Sequence, residues 1–469
     1  MLTLAVVVPL FGSILLPVAG RFSERARNGL AILCALCSLA CVASLAPAVL
    51  QGRPVSAAIL GIEWLRADAL AVFMALISMS VGTVIVAYSF GYIAHYANRD
   101  EYYFLVLLFL GAMMGLVFSR NLIALYAFWE ITAIACWRLI GFFRSADDVR
   151  RADKAFLVTV FGAALMLAGF VAIYAQRGTF DLQALRGTRL PDLAVALILC
   201  GILSKSATLP LHGWLPDAGV APAPVTALLH AAVLVKIGVY VFARLFIDTF
   251  EVDPIWRQIV PWIAAASALV SAGAALVSND LKRIIAYSTV SQLGFILLGL
   301  SVGARMALGG ALLYLLMHGL AKAGLFLCAG VVEQSTHCKD IRKLGGLART
   351  MPVTAASFAL CALSVMGVPP LGGFFAKVLV LTGTLSSGHV AAGLAFVAGS
   401  FLTILYLLRA FSAVFLGEGA AGGPLPREGT RGMVSAVAAM AALSVAGGLL
   451  IRYPARFADE TVRQMEARP

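Results

Sequence analysis

The chain has 469 residues, of which 61% are apolar and only 12% are charged, whereas soluble globular domains carry about 25% charged residues. This deficit excludes an ordinary soluble protein and indicates that most of the chain faces lipid or buried protein. The formal net charge of +12 does not indicate a nucleic-acid partner, because the arginines lie in short loops between apolar runs, as membrane-flanking residues do. The composition therefore predicts an all-α, polytopic membrane protein.

The first apolar run carries its positive charge on the wrong side for a cleaved signal peptide. Residues 1–20 are apolar and are followed by Arg21, Arg25 and Arg27, whereas a signal peptide has its basic residues before the apolar stretch. We therefore expect this run to be retained as the first membrane span.

Fourteen apolar runs are long enough to cross a membrane, since a helix needs about 20 apolar residues to do so. They cover residues 2–19, 29–50, 69–94, 103–119, 121–143, 155–175, 192–211, 222–247, 258–278, 283–303, 306–331, 353–387, 390–416 and 433–451. An even number of spans places both termini on one side. The short basic loops at 144–154 and 337–349 predict that loops after odd-numbered spans are cytoplasmic, which puts the termini on the outer side of a bacterial-type plasma membrane.

Three of the eight cysteines, Cys34, Cys37 and Cys41, recur at helical spacing on the second span. A metal or cluster site is one interpretation of this spacing, and packing of small side chains against a neighbouring helix is the other, which we prefer. The sequence contains no paired CxxC motif and no glycine-rich phosphate loop. We therefore predict no metal and no cofactor in this chain.

Half of the eight lysines fall inside predicted spans. They are Lys205, Lys236, Lys322 and Lys377. Each buried charge costs about 2.5–3.5 kcal/mol on insertion scales, so four such residues indicate a function. A desolvated lysine can lose its proton, whereas an arginine keeps its proton under any condition a protein meets. The choice of lysine therefore predicts charges that come and go, as proton transfer requires.

One glutamate and two histidines accompany these lysines. Glu130 lies near the middle of the fifth span, where a buried lysine is its natural partner. His318 and Lys322 are four residues apart and share a helix face, whereas His230 and Lys236 are six apart and do not. The alternative is structural, because a buried lysine–glutamate pair can pin two helices and a lone histidine is often a satisfied core residue. We prefer the functional interpretation for the whole set.

Two spans are predicted to be broken. The seventh contains KSATLP at 205–210, and the twelfth contains GVPPLGG at 367–373, four residues before Lys377. Proline and glycine inside a span free backbone groups, which is tolerated where the backbone lines a cavity. Paired interrupted helices, one in each half of a chain, are typical of inverted-repeat transporters.

Four motifs resemble the antiporter-like subunits of respiratory complex I, of Mrp-type cation/proton antiporters and of membrane-bound hydrogenases. They are KSATLPLHGWLPDA at 205–218, LLHAAVLVK at 228–236, DLKRIIAYSTVSQLG at 280–294 and HGLAKA at 318–323. The resemblance implies fourteen helices with two inverted five-helix repeats at 103–247 and 258–416. A three-helix segment at 1–102 would precede these half-channels, and a helix with a tail at 417–469 would follow them.

The resemblance also implies a role for each buried ionisable residue. Glu130 would pair with Lys205, Lys236 would connect the half-channels, His318 and Lys322 would link them, and Lys377 would be the exit residue. A proton would then pass from the cytoplasm to Lys205 and leave at Lys377, with Glu130 as the switch. The driving energy would come from partner subunits.

The preferred function is a proton-translocating subunit of a redox-driven complex, either a complex I-like quinone reductase or an energy-converting hydrogenase. The alternatives are a subunit of an Mrp-type sodium/proton antiporter, an ion-coupled uptake subunit for inorganic carbon or another solute, and an inert scaffold. The expected partners are other membrane subunits, the lipid bilayer, and protons or sodium ions.

Overall fold

The computed structural model describes residues 1–59, 61–416 and 426–467, and nearly all of them are helical. Twelve of the described helices are long and apolar enough to cross a membrane. The two remaining predicted spans, the seventh and the twelfth, are the two that are broken. The prediction of an all-α, polytopic membrane protein is therefore confirmed. The last predicted segment, 417–469, lies partly outside the described residues, and the domain boundaries stay predictions.

The helices follow the apolar runs in order. The first six are α1 (Leu2–Phe22), α2 (Glu24–Leu50), α3 (Ala69–Tyr92), α4 (Arg99–Phe118), α5 (Leu122–Ile140) and α6 (Ala146–Arg177). The seventh and eighth spans contain α7 (Asp192–Lys205), α9 (Ala223–Ala227) and α10 (Leu234–Phe242), with π-helical turns at Leu228–Ala232 and Ala243–Thr249, and α8 (Trp214–Asp217) lies between the two spans. The later helices are α11 (Trp256–Val277), α12 (Leu281–Ser301), α13 (Arg305–Thr336), α14 (Pro352–Met366), α15 (Gly372–Ser386), α16 (Val390–Phe411), α17 (Arg431–Leu449) and α18 (Arg452–Glu466).

Side-chain caps explain several of the observed helix starts. Ser23, Asp68, Asn121, Ser145 and Asp280 each accept a hydrogen bond from a backbone N–H in the first turn of the helix that follows. Such caps satisfy donors that have no partner within the helix. They begin helices close to the positions at which the apolar runs begin.

Both predicted breaks are present. Helix α7 ends at Lys205, and the chain then turns through Ala207, which has a φ of 49°. Helices α14 and α15 are separated at Gly367, whose φ of 87° favours a residue without a Cβ. Each break places a lysine at or near the end of a half-helix.

Two elements were not predicted. Strands β1 (Val55–Ile59) and β2 (Ile62–Ala67) pair antiparallel between α2 and α3. Helix α18 is amphipathic and buries Ala458, Val462 and Met465 on one side. The ring of Phe457 packs edge-on against Phe73 of α3, with 5.3 Å between the ring centroids.

The helices differ strongly in how much of their apolar surface other helices cover. The most apolar window is fully buried in the span Ala223–Thr249 and 94% buried in α12 and α13, but only 33–39% buried in α1, α2, α6, α16 and α17. The weakly covered helices lie on the outside of the described bundle. The central helices, which carry most of the buried ionisable residues, form the core.

Candidate ion-translocation site

Lys205 is the last residue of α7 and is fully buried. Its Nζ donates a hydrogen bond to the main-chain oxygen of Trp129 on α5, at 3.1 Å, and lies 5.2 Å from the centroid of the Trp129 ring. Since α7 stops at this residue, its ammonium group reaches the neighbouring helix at the level of Glu130. The structure therefore brings the seventh and fifth spans together as predicted.

Glu130 and Lys205 do not form an ion pair in this conformation. Their charged atoms are farther apart than 4.0 Å, and Glu130 Oε1 is buried without a hydrogen-bond partner among the described residues. Lys205 instead binds the carbonyl of the residue that precedes Glu130. The predicted pair is thus open here, and a rotation of either side chain is needed to close it.

Lys236 lies in the first turn of α10, directly after an irregular backbone step at Val233 (φ −123°, ψ −76°). It is fully buried, and its Nζ donates to the main-chain oxygen of Leu315 on α13 at 2.7 Å. Gly319 of α13 provides the space for this ammonium group, because a Cβ at that position would lie 2.5 Å from Lys236 Nζ. Helices α10 and α13 are thereby joined at a titratable group.

The two predicted histidines are buried beside aromatic rings. His230 lies in the π-helical turn Leu228–Ala232, with its ring 4.5 Å from that of Phe326, and the ring of His318 is 6.0 Å from that of Tyr314. Neither imidazole has a hydrogen-bond partner among the described residues. Unsatisfied buried nitrogens are costly, so both histidines are available to water or to a transferred proton.

Lys322 lies one turn after His318 on α13 and is fully buried. Its Nζ donates to Ser288 Oγ at 2.6 Å and to the main-chain oxygen of Ile285 at 3.1 Å, both on α12. Within the described part of the chain, it is the only one of the four predicted lysines with a side-chain hydrogen-bond partner.

A polar network extends from Lys322 towards Lys377. Tyr406 donates to Ser288 Oγ at 2.7 Å, Gln292 Nε2 donates to Thr403 Oγ1 at 3.0 Å, and Tyr314 donates to Gln292 Oε1. Gln292 Nε2 also lies 3.4 Å from Tyr406 Oη, which joins the two parts of the network. Sequence reasoning did not single these groups out as functional residues, although 288 and 292 fall within one of the quoted motifs.

Lys377 lies in α15 and is 6% exposed. Its Nζ donates to the main-chain oxygen of Met366 at 3.3 Å and lies 5.6 Å from the ring centroid of Phe295 and 6.0 Å from that of Tyr314. Met366 is the last residue of α14, and the carboxyl end of a helix favours a cation. The second helix break therefore holds its lysine against freed carbonyl groups.

All four lysines share one mode of binding, in which the ammonium group donates to a main-chain oxygen of another helix. None has a carboxylate oxygen within 4.0 Å among the described residues. Carbonyl dipoles stabilise an ammonium group less strongly than a carboxylate does. Removal of the proton also leaves no unpaired buried anion behind. Both protonation states of each lysine are therefore accessible.

A family model described as "NADH:quinone oxidoreductase/Mrp antiporter, TM" matches residues 119–403, more than half of the chain. The chain belongs to this family. The matched region begins just before α5 and ends within α16, so it contains every one of the predicted site residues. The predicted resemblance is confirmed.

Among curated relatives, the A subunit of the Na⁺/H⁺ antiporter of Alkalihalophilus pseudofirmus is 36% identical over 385 residues, which cover 75% of this chain and 48% of the relative. The A1 subunit of a Na⁺/H⁺ antiporter of Staphylococcus aureus is 31% identical over 456 residues, covering 89% and 57%. The chain thus spans about half the length of the curated relatives it matches. These similarities favour the antiporter alternative over the preferred redox-driven complex.

Two solved structures share the fold. A chain of the Mrp complex from a Dietzia species matches with a TM-score of 0.91 at 24% identity, and a chain of an archaeal membrane-bound sulfane sulfur reductase matches with a TM-score of 0.89 at 22% identity. Each comparison covers 99% of this chain and 97% of the other. The antiporter-like fold is therefore established for nearly the whole length of this family member.

Two clusters of charged residues near helix ends were not predicted from the sequence. Lys282 is 2% exposed and pairs with Glu333 at 2.8 Å, and Glu333 also pairs with Lys339 at 2.9 Å. Arg244 falls inside the predicted eighth span and binds Asp68 and two further polar groups. The spacing of Lys282 and Glu333 along the chain gives no signal of their contact, because they lie on different helices.

Arg138 lies in the last turn of α5 and has a structural role. Its guanidinium group pairs with Glu101 of α4 and is partly exposed, and Arg144 pairs with the same carboxylate at 2.5 Å. These contacts join α4 and α5 at one membrane face, away from the buried lysines. A long side chain near a helix end can place its charge at the membrane surface in this way.

Proposed function

We propose that this chain is the proton-conducting subunit of an Mrp-type sodium/proton antiporter. The observation that carries the proposal is the set of four buried lysines, each held by a main-chain carbonyl of another helix and two of them at helix breaks. Membership of the family and the similarity to A subunits of Na⁺/H⁺ antiporters support the same conclusion. The proposed partners are the other subunits of a multisubunit complex in a bacterial plasma membrane.

In the proposed path, a proton enters at Lys205, passes Lys236, reaches His318 and Lys322, and leaves from Lys377. Glu130 regulates the first step. When its carboxylate approaches the Lys205 ammonium group to about 4 Å, the charged form gains about 4 kcal/mol at an effective dielectric constant of 20. When the pair opens, as it has here, desolvation favours release of the proton.

The second half of the path uses the hydroxyl and amide network. Ser288 Oγ accepts hydrogen bonds from both Lys322 and Tyr406, and Tyr314 lies between Gln292 and the Lys377 ammonium group. A proton crosses such a chain by hopping along each hydrogen bond: Ser288 Oγ takes a proton from Lys322 and gives up its own hydrogen to Tyr406, once the Tyr406 hydroxyl group has turned to accept it. Rotation of the hydroxyl groups afterwards restores the original order of donors and acceptors. We propose that His230 assists this transfer from the opposite helix.

The proposed membrane topology follows the basic loops, with both termini on the outer side. The two half-channels correspond to the inverted repeats at 103–247 and 258–416. In that arrangement the two broken spans occupy equivalent positions, and Lys205 and Lys377 mark the entry and exit of the path.

Antiport is driven by an ion gradient alone, whereas redox-driven pumping needs an electron donor and an acceptor. The complete complex, purified with its native partner subunits, should be reconstituted in vesicles with an imposed pH gradient. We expect added Na⁺ to dissipate the gradient and Lys205→Ala to abolish this exchange, with no electron donor present. Vesicles that respond only to an electron donor and quinone would contradict the antiporter assignment.

A further inference from the structure

Four ionisable or hydroxyl side chains form a row on the helix that follows Val233. They recur every fourth residue, as Lys236, Tyr240, Arg244 and Asp248, a spacing that keeps side chains on one helix face. The row starts at the buried Lys236 ammonium group and ends near one membrane face. It is therefore a line of polar side chains that leads from Lys236 away from Lys322 and towards that face.

Arg244 is fixed in this row by two carboxylates. Its Nη1 and Nη2 donate to Asp68 Oδ2 and Oδ1 at 2.6 and 2.7 Å, and Nη1 also donates to Asp248 Oδ2 at 2.8 Å. The Arg244 side chain is only 8% exposed. A paired-fork contact of this kind is geometrically specific, so the positive charge cannot swing away from the row.

Tyr240 cannot carry a proton past this point. Its hydroxyl group donates to the main-chain oxygen of Val117 at 2.6 Å and accepts bonds from Nε and Nη2 of Arg244 at 3.3 Å. The donor and both acceptor positions of the hydroxyl are thus occupied. The hydrogen bonds of Tyr240 therefore join it to α4 and to Arg244, and none of them joins it to Lys236.

A cavity lies on the far side of the arginine. A cavity of about 250 Å³ is lined by Arg66, Asp68, Arg186, Arg244 and Asp248, together with residues of α18. Arg186 also binds Asp248, at 3.1 Å. The buried lysine and a cavity lined by charged side chains are therefore separated by two helical turns that contain Tyr240 and Arg244.

We infer that Arg244 is an electrostatic barrier that prevents protons on Lys236 from leaking to this cavity and thereby keeps transport coupled. A permanent positive charge repels a proton or a metal cation, as arginines do in selective pores. Without it, Asp68 and Asp248 would face the row as carboxylates that attract protons. This role is distinct from proton conduction, because it concerns a route that must stay closed.

The test is passive proton entry into vesicles that contain the whole complex, with a membrane potential imposed by a potassium gradient and no sodium gradient. Arg244→Gln should increase proton entry by at least about tenfold, the effect of a unit charge about 12 Å away at an effective dielectric constant of 20. Arg244→Lys, which keeps the charge, should remain tight. Adding Lys236→Met to Arg244→Gln should restore the low rate, since the leak starts at that lysine.

Arg186→Gln is the matched control, because it removes another arginine from the same cavity but not from the row. It should not leak. Wild-type proton entry with the Arg244→Gln complex would overturn the inference. So would fast proton entry that persists when Lys236→Met is added. If Arg244→Gln is not inserted, the double variant Arg244→Gln with Asp68→Asn decides, because it removes the positive charge together with the carboxylate that binds it on two atoms. It should leak protons in the same Lys236-dependent way, and wild-type proton entry in this double variant would overturn the inference. The inference rests on the proposed function, because it takes Lys236 to carry a proton. The assay measures passive proton entry and needs no sodium exchange, so its failure can be told apart from a failure of the antiporter assignment.

Discussion

Gly319→Ala should slow proton transport by displacing the Lys236 ammonium group. The new Cβ would lie 2.5 Å from Nζ, so Nζ must move by roughly 1 Å to reach an ordinary contact distance. That shift stretches the 2.7 Å bond to the Leu315 oxygen. A hydrogen bond of a charged group contributes about 1.5–3 kcal/mol. If this energy is lost from the step that passes through Lys236, the rate of proton transport falls roughly 10- to 100-fold, at about 1.36 kcal/mol per factor of ten.

The assay is sodium-driven proton release from vesicles that contain the complete complex, normalised to assembled protein. Gly309→Ala is the matched control, because it lies on the same helix and its added Cβ meets nothing within 4 Å. Both changes raise helix propensity by the same amount, about 1 kcal/mol. Equal transport rates in the two variants would refute the reasoning that the position of this ammonium group limits transport.

The charges of individual residues give three further predictions. Lys205→Arg should insert normally yet fail in the same transport assay, because a guanidinium group keeps its proton; a working variant would make Lys205 a structural cation. Lys377→Glu should retain partial transport and Lys377→Met almost none, whereas the opposite order would mean that Lys377 only neutralises the Met366 carbonyl. Burial raises the pKa of Asp68, but the charge and hydrogen bonds of Arg244 lower it by a larger amount. The pKa of this carboxyl group in the folded protein therefore lies below its ordinary value. Asp68 should therefore stabilise the fold above about pH 4, and this contribution should fade as the pH falls through the folded-state pKa. Thermal unfolding of the purified protein between pH 3 and 6 should show this loss, and an unchanged pH dependence in Asp68→Asn would contradict it.

The membrane spans could be predicted because lipid offers the backbone no hydrogen-bond partners. An apolar run of about 20 residues must satisfy its hydrogen bonds internally, and a helix does so. The breaks after Lys205 and at Gly367 were also predictable from proline and glycine. Helix α18 was not predicted, because the search was for long apolar runs and this segment has low mean hydropathy; its apolar side, with Ala458, Val462 and Met465 at helical spacing, was readable from the sequence. The β-hairpin likewise lies in a segment without a strong periodic signal.

The burial of the four lysines was predicted correctly, but their binding partners were not. Lys236 and Lys205 bind main-chain oxygens, and no sequence pattern specifies these, since every residue carries one. Glu130 was expected to pair with Lys205, yet the pair is open in this conformation. Arg244 was overlooked although it falls inside the predicted eighth span. Its partner could not be predicted, because Asp68 is 176 residues away in the chain and only the fold brings the two together.

The central claim is that a proton passes through the buried lysines, and Lys236 tests it most directly because its ammonium group joins α10 to α13. Sodium-driven proton release should be measured for the complete complex with Lys236→Met, which conserves much of the side-chain volume and removes the titratable group. Lys343→Met is the control, since Lys343 is exposed at the end of the 3-10 turn Ile341–Lys343 and is not one of the buried lysines. We predict almost no transport for Lys236→Met and wild-type transport for Lys343→Met. Wild-type transport by an assembled Lys236→Met complex would contradict the account.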